Sequence, residues 1–162
     1  MLRDTHASDI EKTLAKYPTK RSAVMPLLYL AQQEYGYCDD NAIREVAGIL
    51  ELDPTEVKSI VGFYTMFYEE PTGQYVIEVC DDLPCALRGA DAFVSHCEHK
   101  LGIKAGQTTP DGKFTLRTVM CIAACHRAPV AQVNTEYQYD LSPERFDQLV
   151  DSLRHQPPAT SD

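Results

Sequence analysis

Gln74-Tyr75-Val76-Ile77-Glu78-Val79-Cys80-Asp81-Asp82-Leu83-Pro84-Cys85 runs from an apolar strand pattern straight into a C-x4-C pair. Short runs rich in Val, Ile and Tyr, bounded by turn residues, read as strands. A strand is therefore expected over 74–79, delivering Cys80 at its end. The same grammar recurs downstream. After the turn signal Asp111-Gly112, the run 113–119 reads as a second strand. Cys121-Ile122-Ala123-Ala124-Cys125, a C-x3-C pair, follows it. If the two strands are neighbours in one sheet, their ends meet at one edge and four thiolates converge.

The rest of this half fits around those strands. A helix is expected over 87–101, with Ala90, Phe93, Val94 and Cys97 on one face and Gly102 closing it. A third strand is expected over 129–134 and a fourth over 137–139. Ser142-Pro143 caps a last helix that turns Phe146, Leu149, Val150 and Leu153 inward. The first half is helical instead. Ser8-x-x-Glu11 is a capping-box pattern, with Ile10, Leu14 and Tyr17 following at helical spacing. Further helices are expected over 22–35 and 41–50. Another starts at Asp53-Pro54-Thr55-Glu56, with Val57, Ile60, Val61 and Tyr64 as its buried stripe. Pro71-Thr72-Gly73 interrupts the helical pattern. The expected architecture is α+β: an N-terminal helical bundle over 1–72, an α/β domain over 73–156, and a flexible polar tail over 157–162.

Composition narrows the function classes. The chain has 162 residues, 44% of them hydrophobic, and a formal net charge of −9. That is enough apolar material for a core. Phosphate binding calls for basic patches, so nucleic acid is not an expected partner. No apolar run approaches the roughly 18–20 residues of a membrane span, and the N-terminus lacks the apolar core of a secretory signal. A cytoplasmic protein without direct membrane insertion is expected. In that compartment clustered cysteines bind metal or do redox chemistry more often than they form disulfides.

Four thiolates can hold several things. In a [2Fe–2S] cluster each iron takes two bridging sulfides and two cysteine sulfurs. Cys80 and Cys85 would serve one iron, Cys121 and Cys125 the other. Structural zinc with four cysteines is the rival, since zinc ligands are commonly spaced two to four residues apart. Plain buried thiols are a third reading, weakened by the two close pairs. Spacing favours the cluster and leaves zinc open. Cys97, on an apolar helix face, reads as core. Cys38 has no neighbour to pair with in sequence. His96 and His99 read as a solvated helix flank. His126 is not a Rieske-type ligand, because that site needs C-x-H and C-x-x-H pairs. No phosphate-cradling glycine loop and no Ser/His/Asp or Cys/His nucleophile arrangement is present, and Glu69-Glu70 reads as a solvated linker. No complete active site is expected in this chain.

Several stretches together carry a resemblance. Gly62-Phe63-Tyr64-Thr65-Met66-Phe67, Pro71-x-Gly73, Val79-Cys80 through Cys85, Leu87-Arg88-Gly89-Ala90, Cys121-x-x-x-Cys125 with Ala128-Pro129, and Asp140-Leu141-Ser142-Pro143-Glu144 occur in this order. The sequence thereby resembles the thioredoxin-like [2Fe–2S] subunit family of NADH:quinone oxidoreductase, respiratory complex I. The resemblance implies an N-terminal helical docking segment and a thioredoxin-like domain. It implies Cys80, Cys85, Cys121 and Cys125 as ligands of one [2Fe–2S] cluster, and so iron–sulfur over zinc. It also implies a partner flavoprotein subunit that holds FMN and NADH, a larger iron–sulfur subunit in the same module, and a peripheral place on the cytoplasmic side of the inner membrane. Similar subunits occur in NAD-dependent formate dehydrogenases and NAD-linked hydrogenases. One departure stands out. The family usually carries Leu-Gly-Ala between the last two cysteines and an acidic residue before them. Here Ile122, Ala123 and Ala124 fill the gap and Met120 precedes it. Alanine for glycine removes easy access to positive φ.

Overall fold

The computed structural model describes residues 1–156, so the tail expected over 157–162 lies outside the described residues. The chain divides into two compact units, Met1–Pro71 and a second that begins at Thr72.

The first unit is helical: α1 (Leu2–Thr5), α2 (Ala7–Ala15), a 3-10 turn (Lys20–Ala23), α3 (Val24–Tyr35), α4 (Asp40–Leu50) and α5 (Pro54–Phe63). Caps set most of the boundaries. The Asp39 carboxylate accepts from the Ala42 N–H at 2.8 Å and starts α4. Asp53 accepts from the Thr55 N–H at 2.7 Å, and Pro54 opens α5. Gly36, at φ 83, ends α3 in the left-handed cap that glycine adopts most easily. Leu27, Leu28, Val46, Leu50, Val57 and Val61 fill the core between these three helices. Two expectations fail here. Ser8 lies inside α2 and caps nothing; His6 stands at the N-cap without a side-chain cap bond. The helical start lies earlier because Leu2 is fully buried and its N–H is taken by Glu45 Oε2 at 2.6 Å. That contact spans 43 positions and has no local signature. Tyr64 does not join the buried stripe. It leaves the helix in extended conformation and sets its ring edge-on to Phe63, centroids 5.1 Å apart.

The second unit is built on a four-stranded sheet: β1 (Tyr75–Cys80), β2 (Phe114–Val119), β3 (Ala131–Val133) and β4 (Glu136–Gln138), in the order β2-β1-β3-β4. β1 and β2 are parallel, with Cys80 opposite Val119; β3 and β4 continue the sheet antiparallel. Parallel neighbours need a long crossover, supplied by α6 (Leu83–Leu87) and α7 (Ala90–Leu101). With α8 (Pro143–Arg154), α7 covers one sheet face. Ile77, Val79, Phe93, Phe114, Leu116, Phe146 and Val150 form that core. Phe93 meets Phe146 edge-on at 5.6 Å, which locks the two helices together. Burying each such ring contributes about 1.5–3 kcal/mol. The α+β architecture is thus as expected.

The helix expected over 87–101 begins only at Ala90, as α7, and a separate short helix, α6, precedes it. Asp82 caps a short α6 by accepting from the Leu83 N–H at 2.9 Å, and Pro84 sits in its first turn. Gly89, at φ 90, then breaks the chain before α7 begins. The third strand starts later than expected because Pro129 has no N–H to give a ladder.

Gly73 fixes how the chain enters β1. Its N–H donates to Thr115 Oγ1 at 2.6 Å. A Cβ there would meet the Phe114 backbone at 2.8 Å and the Lys113 carbonyl carbon at 2.9 Å. Gly73→Ala is expected to cost about 1–3 kcal/mol through overpacking against backbone, read as a lower midpoint in urea unfolding. An unchanged midpoint would show that the strand can shift to admit a methyl group.

Candidate metal centre

The register of β1 and β2 brings the two cysteine segments together. The Cys80 N–H donates to the Val130 carbonyl at 3.1 Å, and the Asp81 N–H to the Val119 carbonyl at 3.1 Å. The Cys80 thiol donates to the Met120 carbonyl at 3.3 Å, so the two segments touch directly. Cys85, carried on α6 rather than on a loop, is fully buried. Cys80 and Cys85 share a small apolar seat with Ala90, Ala124, Ala128 and Val130, flanked by Ile122 and Tyr139. Cys121 and Cys125 are exposed. The centre therefore has a buried half and an open half.

The open half is an irregular loop. Ala123 stands at φ 58, a left-handed conformation that glycine adopts far more easily than alanine. That geometry costs an L-residue about 1–2 kcal/mol. Cys125 opens a 3-10 turn, Cys125–Arg127, and the Ala128–Pro129 peptide is cis. Residues on and beyond β4 grip this loop. The Tyr137 hydroxyl donates to the Ile122 carbonyl at 2.8 Å. Arg127 donates through Nε and Nη2 to Asp140 Oδ2 at 2.8 and 2.6 Å, and the Asp140 N–H returns a bond to the Arg127 carbonyl at 2.9 Å. The Arg127 guanidinium lies over the Tyr139 ring, 4.4 Å from its centroid. Sequence reasoning missed all of these. The one available signal is strand alternation, which puts 137 and 139 on the same face.

Electrostatics follow the geometry. Burial first, and then the Cys80 thiol hydrogen-bonded to it, push the Cys85 thiol up to about 11. Loss of hydration and then neighbouring Cys121 raise Cys125. Cys80 thus raises Cys85 and Cys121 raises Cys125, with smaller contributions from Cys125 on Cys85 and from Cys80 on Cys125. Among the described residues no three His, Cys, Asp or Glu side chains close on a single ion. A zinc site needs four donors about 2.0–2.3 Å from one point, whereas a two-iron cluster needs two pairs set apart by the irons and sulfides between them. Two cysteine donor pairs, Cys80 with Cys85 and Cys121 with Cys125, are a donor set that a [2Fe–2S] cluster can use. Asp81 Oδ1, beside Cys80, is buried and has no hydrogen-bond partner among the described residues.

The other candidates fall elsewhere. Cys97 is fully buried in the α7 face, and burial pushes its thiol up to about 12. Cys38 is buried in the helical unit with Sγ 3.7 Å from the Leu28 carbonyl oxygen. His96 is not merely a solvated flank, since its Nε2 lies 2.8 Å from Asp147 Oδ1 and ties α7 to α8. Glu69 is an ion-pair partner of Lys58 at 2.6 Å rather than a free linker carboxylate.

Comparisons with known proteins point the same way. The sequence model of the thioredoxin-like [2Fe-2S] ferredoxin family matches residues 10–154. The second E-type subunit of NADH-quinone oxidoreductase from Rhizobium meliloti (strain 1021) is 44% identical over 150 residues, 93% of this chain and 89% of that protein. The E-type subunit of NADH-quinone oxidoreductase from Rickettsia bellii (strain RML369-C) is 44% identical over 148 residues, 90% of this chain and 89% of that one. Among solved structures, an NAD+-reducing [NiFe]-hydrogenase in its H2-reduced state aligns with a TM-score of 0.70 and 26% identity over 82% of this chain. This chain spans only 22% of the hydrogenase chain. Because the family match runs from α2 to the end of α8 and takes in both cysteine pairs, this chain belongs to the thioredoxin-like [2Fe-2S] ferredoxin family.

Proposed function

We propose that this chain is the electron-transfer subunit of an NADH:quinone oxidoreductase, holding one [2Fe–2S] cluster through Cys80, Cys85, Cys121 and Cys125. One observation carries the reading: parallel strands bring two cysteine pairs to one sheet edge, in a chain 44% identical to a subunit of such an enzyme. Cys80 and Cys85 would hold one iron, and Cys121 and Cys125 the other. When bound, the cluster takes up and returns single electrons. The chain's own residues do the rest. Loading would release the thiol protons to solvent; burial keeps the Cys85 thiol protonated at neutral pH until iron takes the proton's place on sulfur. Ala90, Ala124, Ala128 and Val130 keep water from the inner half. The Asp81 carboxylate lies beside an already anionic group and disfavours a further electron.

The electron partner is a flavoprotein subunit that carries FMN and NADH, with a larger iron–sulfur subunit in the same module. Leu83, Leu87 and Met120 are exposed on segments flanking the cysteines, where a partner's cover would bury them. In the helical unit Phe63 and Met66 are exposed, in keeping with a docking role for that segment. No helix of the described residues is long and apolar enough to cross a membrane. That suits a peripheral subunit on the cytoplasmic side of the inner membrane. The likeness to an NAD+-reducing hydrogenase favours a second assembly, the same module serving a hydrogenase or an NAD-dependent formate dehydrogenase.

The purified chain is expected to be brown, to bleach with dithionite, and to contain about two iron and two sulfide per chain. A colourless chain with stoichiometric zinc would overturn the cluster. Cys80→Ala and Cys125→Ala are expected to lose the native cluster while Cys97→Ala keeps it; an intact cluster in either of the first two refutes the ligand set. Affinity purification from the native cell is expected to recover membrane quinone-reducing subunits. Recovery of a hydrogenase or a formate dehydrogenase instead would establish the second assembly.

A further inference from the structure

The loop between Cys121 and Cys125 is held by two forces that act on one peptide unit. Ala123 stands at φ 58, a conformation that alanine disfavours. Tyr137 donates its hydroxyl to the Ile122 carbonyl at 2.8 Å. The Tyr137 ring is braced in turn, stacked on Tyr139 with centroids 5.4 Å and planes 1° apart. The Ile122 carbonyl and the Ala123 N–H belong to the same planar trans amide and point in opposite directions. With the chain on either side kept in place, Ala123 can leave positive φ only if ψ of Ile122 counter-rotates. That movement turns the whole amide over and withdraws the carbonyl from Tyr137. Alanine therefore pulls the amide one way, and the tyrosine hydroxyl holds it the other. Glycine at 123 would remove the first pull.

We propose that the Ile122–Ala123 amide is a two-position dipole beside the cluster, and that Tyr137 is the positioning residue that holds its carbonyl turned out toward β4. The proposal rests on the reading of Cys121 and Cys125 as cluster ligands. In the held position the negative end of the dipole is spent on Tyr137, and the N–H faces the opposite side. In the turned position a carbonyl oxygen takes the place of that N–H and disfavours an added electron. Hydrogen bonds and dipoles around cluster sulfurs set the potential without changing the ligands. Tyr137 thus adjusts the potential, not the ligation.

The test uses the full chain loaded with its cluster, as wild type, Tyr137→Phe, Ala123→Gly and the double variant. Iron and sulfide analysis comes first, and wild type without iron refutes the ligand reading alone. Redox titration followed by electron paramagnetic resonance is then expected to show a lower potential in Tyr137→Phe. The expected size is about a tenfold change in the reduced-to-oxidised ratio, or about 59 mV for one electron. Ala123→Gly alone should match wild type, and the double variant should recover at least half of the shift. Urea unfolding gives a second readout that does not depend on iron. Ala123→Gly should raise the midpoint, and by less when Tyr137 is already Phe. A wild-type potential in Tyr137→Phe, loss of iron from that variant alone, or an equal gain from Ala123→Gly in both backgrounds would overturn the proposal.

Discussion

Parallel neighbours in a sheet release the chain at the same edge, and the metal centre depends on that geometry. The chain leaves β1 at Cys80 and β2 at Val119, which are partners in the register. Antiparallel pairing of the same two strands would separate the cysteine pairs by a full strand length, about 20 Å. Parallel pairing demands a crossover, and α6 with α7 provides it. The crossover has two roles: its first turn places Cys85, and its second helix closes the core through Phe93.

The two halves of the centre are built from different materials. Cys80 and Cys85 sit on a strand end and a capped helical turn, both fixed by backbone hydrogen bonds, and both thiols are buried. Cys121 and Cys125 sit on an exposed loop whose shape is imposed from outside by Tyr137, Tyr139 and Asp140. On the proposed reading, the dry half would anchor the cluster and the open half would pass electrons to a partner. Leu83, Leu87 and Met120, on the segments that carry the cysteines, are exposed apolar side chains.

Much of this is legible in the sequence because it is local. Strand runs that end on cysteines, Asp53-Pro54 at a helix start, Gly36 at a helix end and Ser142-Pro143 before the last helix each carry their signal within a few residues. The failures are non-local. Ser8 has the right neighbours for a cap, yet Glu45 reaches across 43 positions to take the Leu2 N–H and moves the helical start. Gly89 is one residue in an otherwise helical pattern, yet its φ of 90 breaks the chain between α6 and α7. The departure at Ala123 is visible, but the sequence does not reveal what holds it at φ 58. That restraint comes from Tyr137, farther along the chain, and no pattern in the loop itself encodes it.

The electron-transfer role turns on whether four cysteines in two pairs hold two irons. Mössbauer spectroscopy of the full chain loaded with 57Fe tests this most directly. Two iron sites in equal amount are predicted, both high-spin ferric in tetrahedral sulfur surroundings when oxidised and coupled to a diamagnetic whole, with one of the two becoming ferrous on one-electron reduction. A single mononuclear iron site, or a chain that takes up zinc and no iron with sulfide, would contradict it.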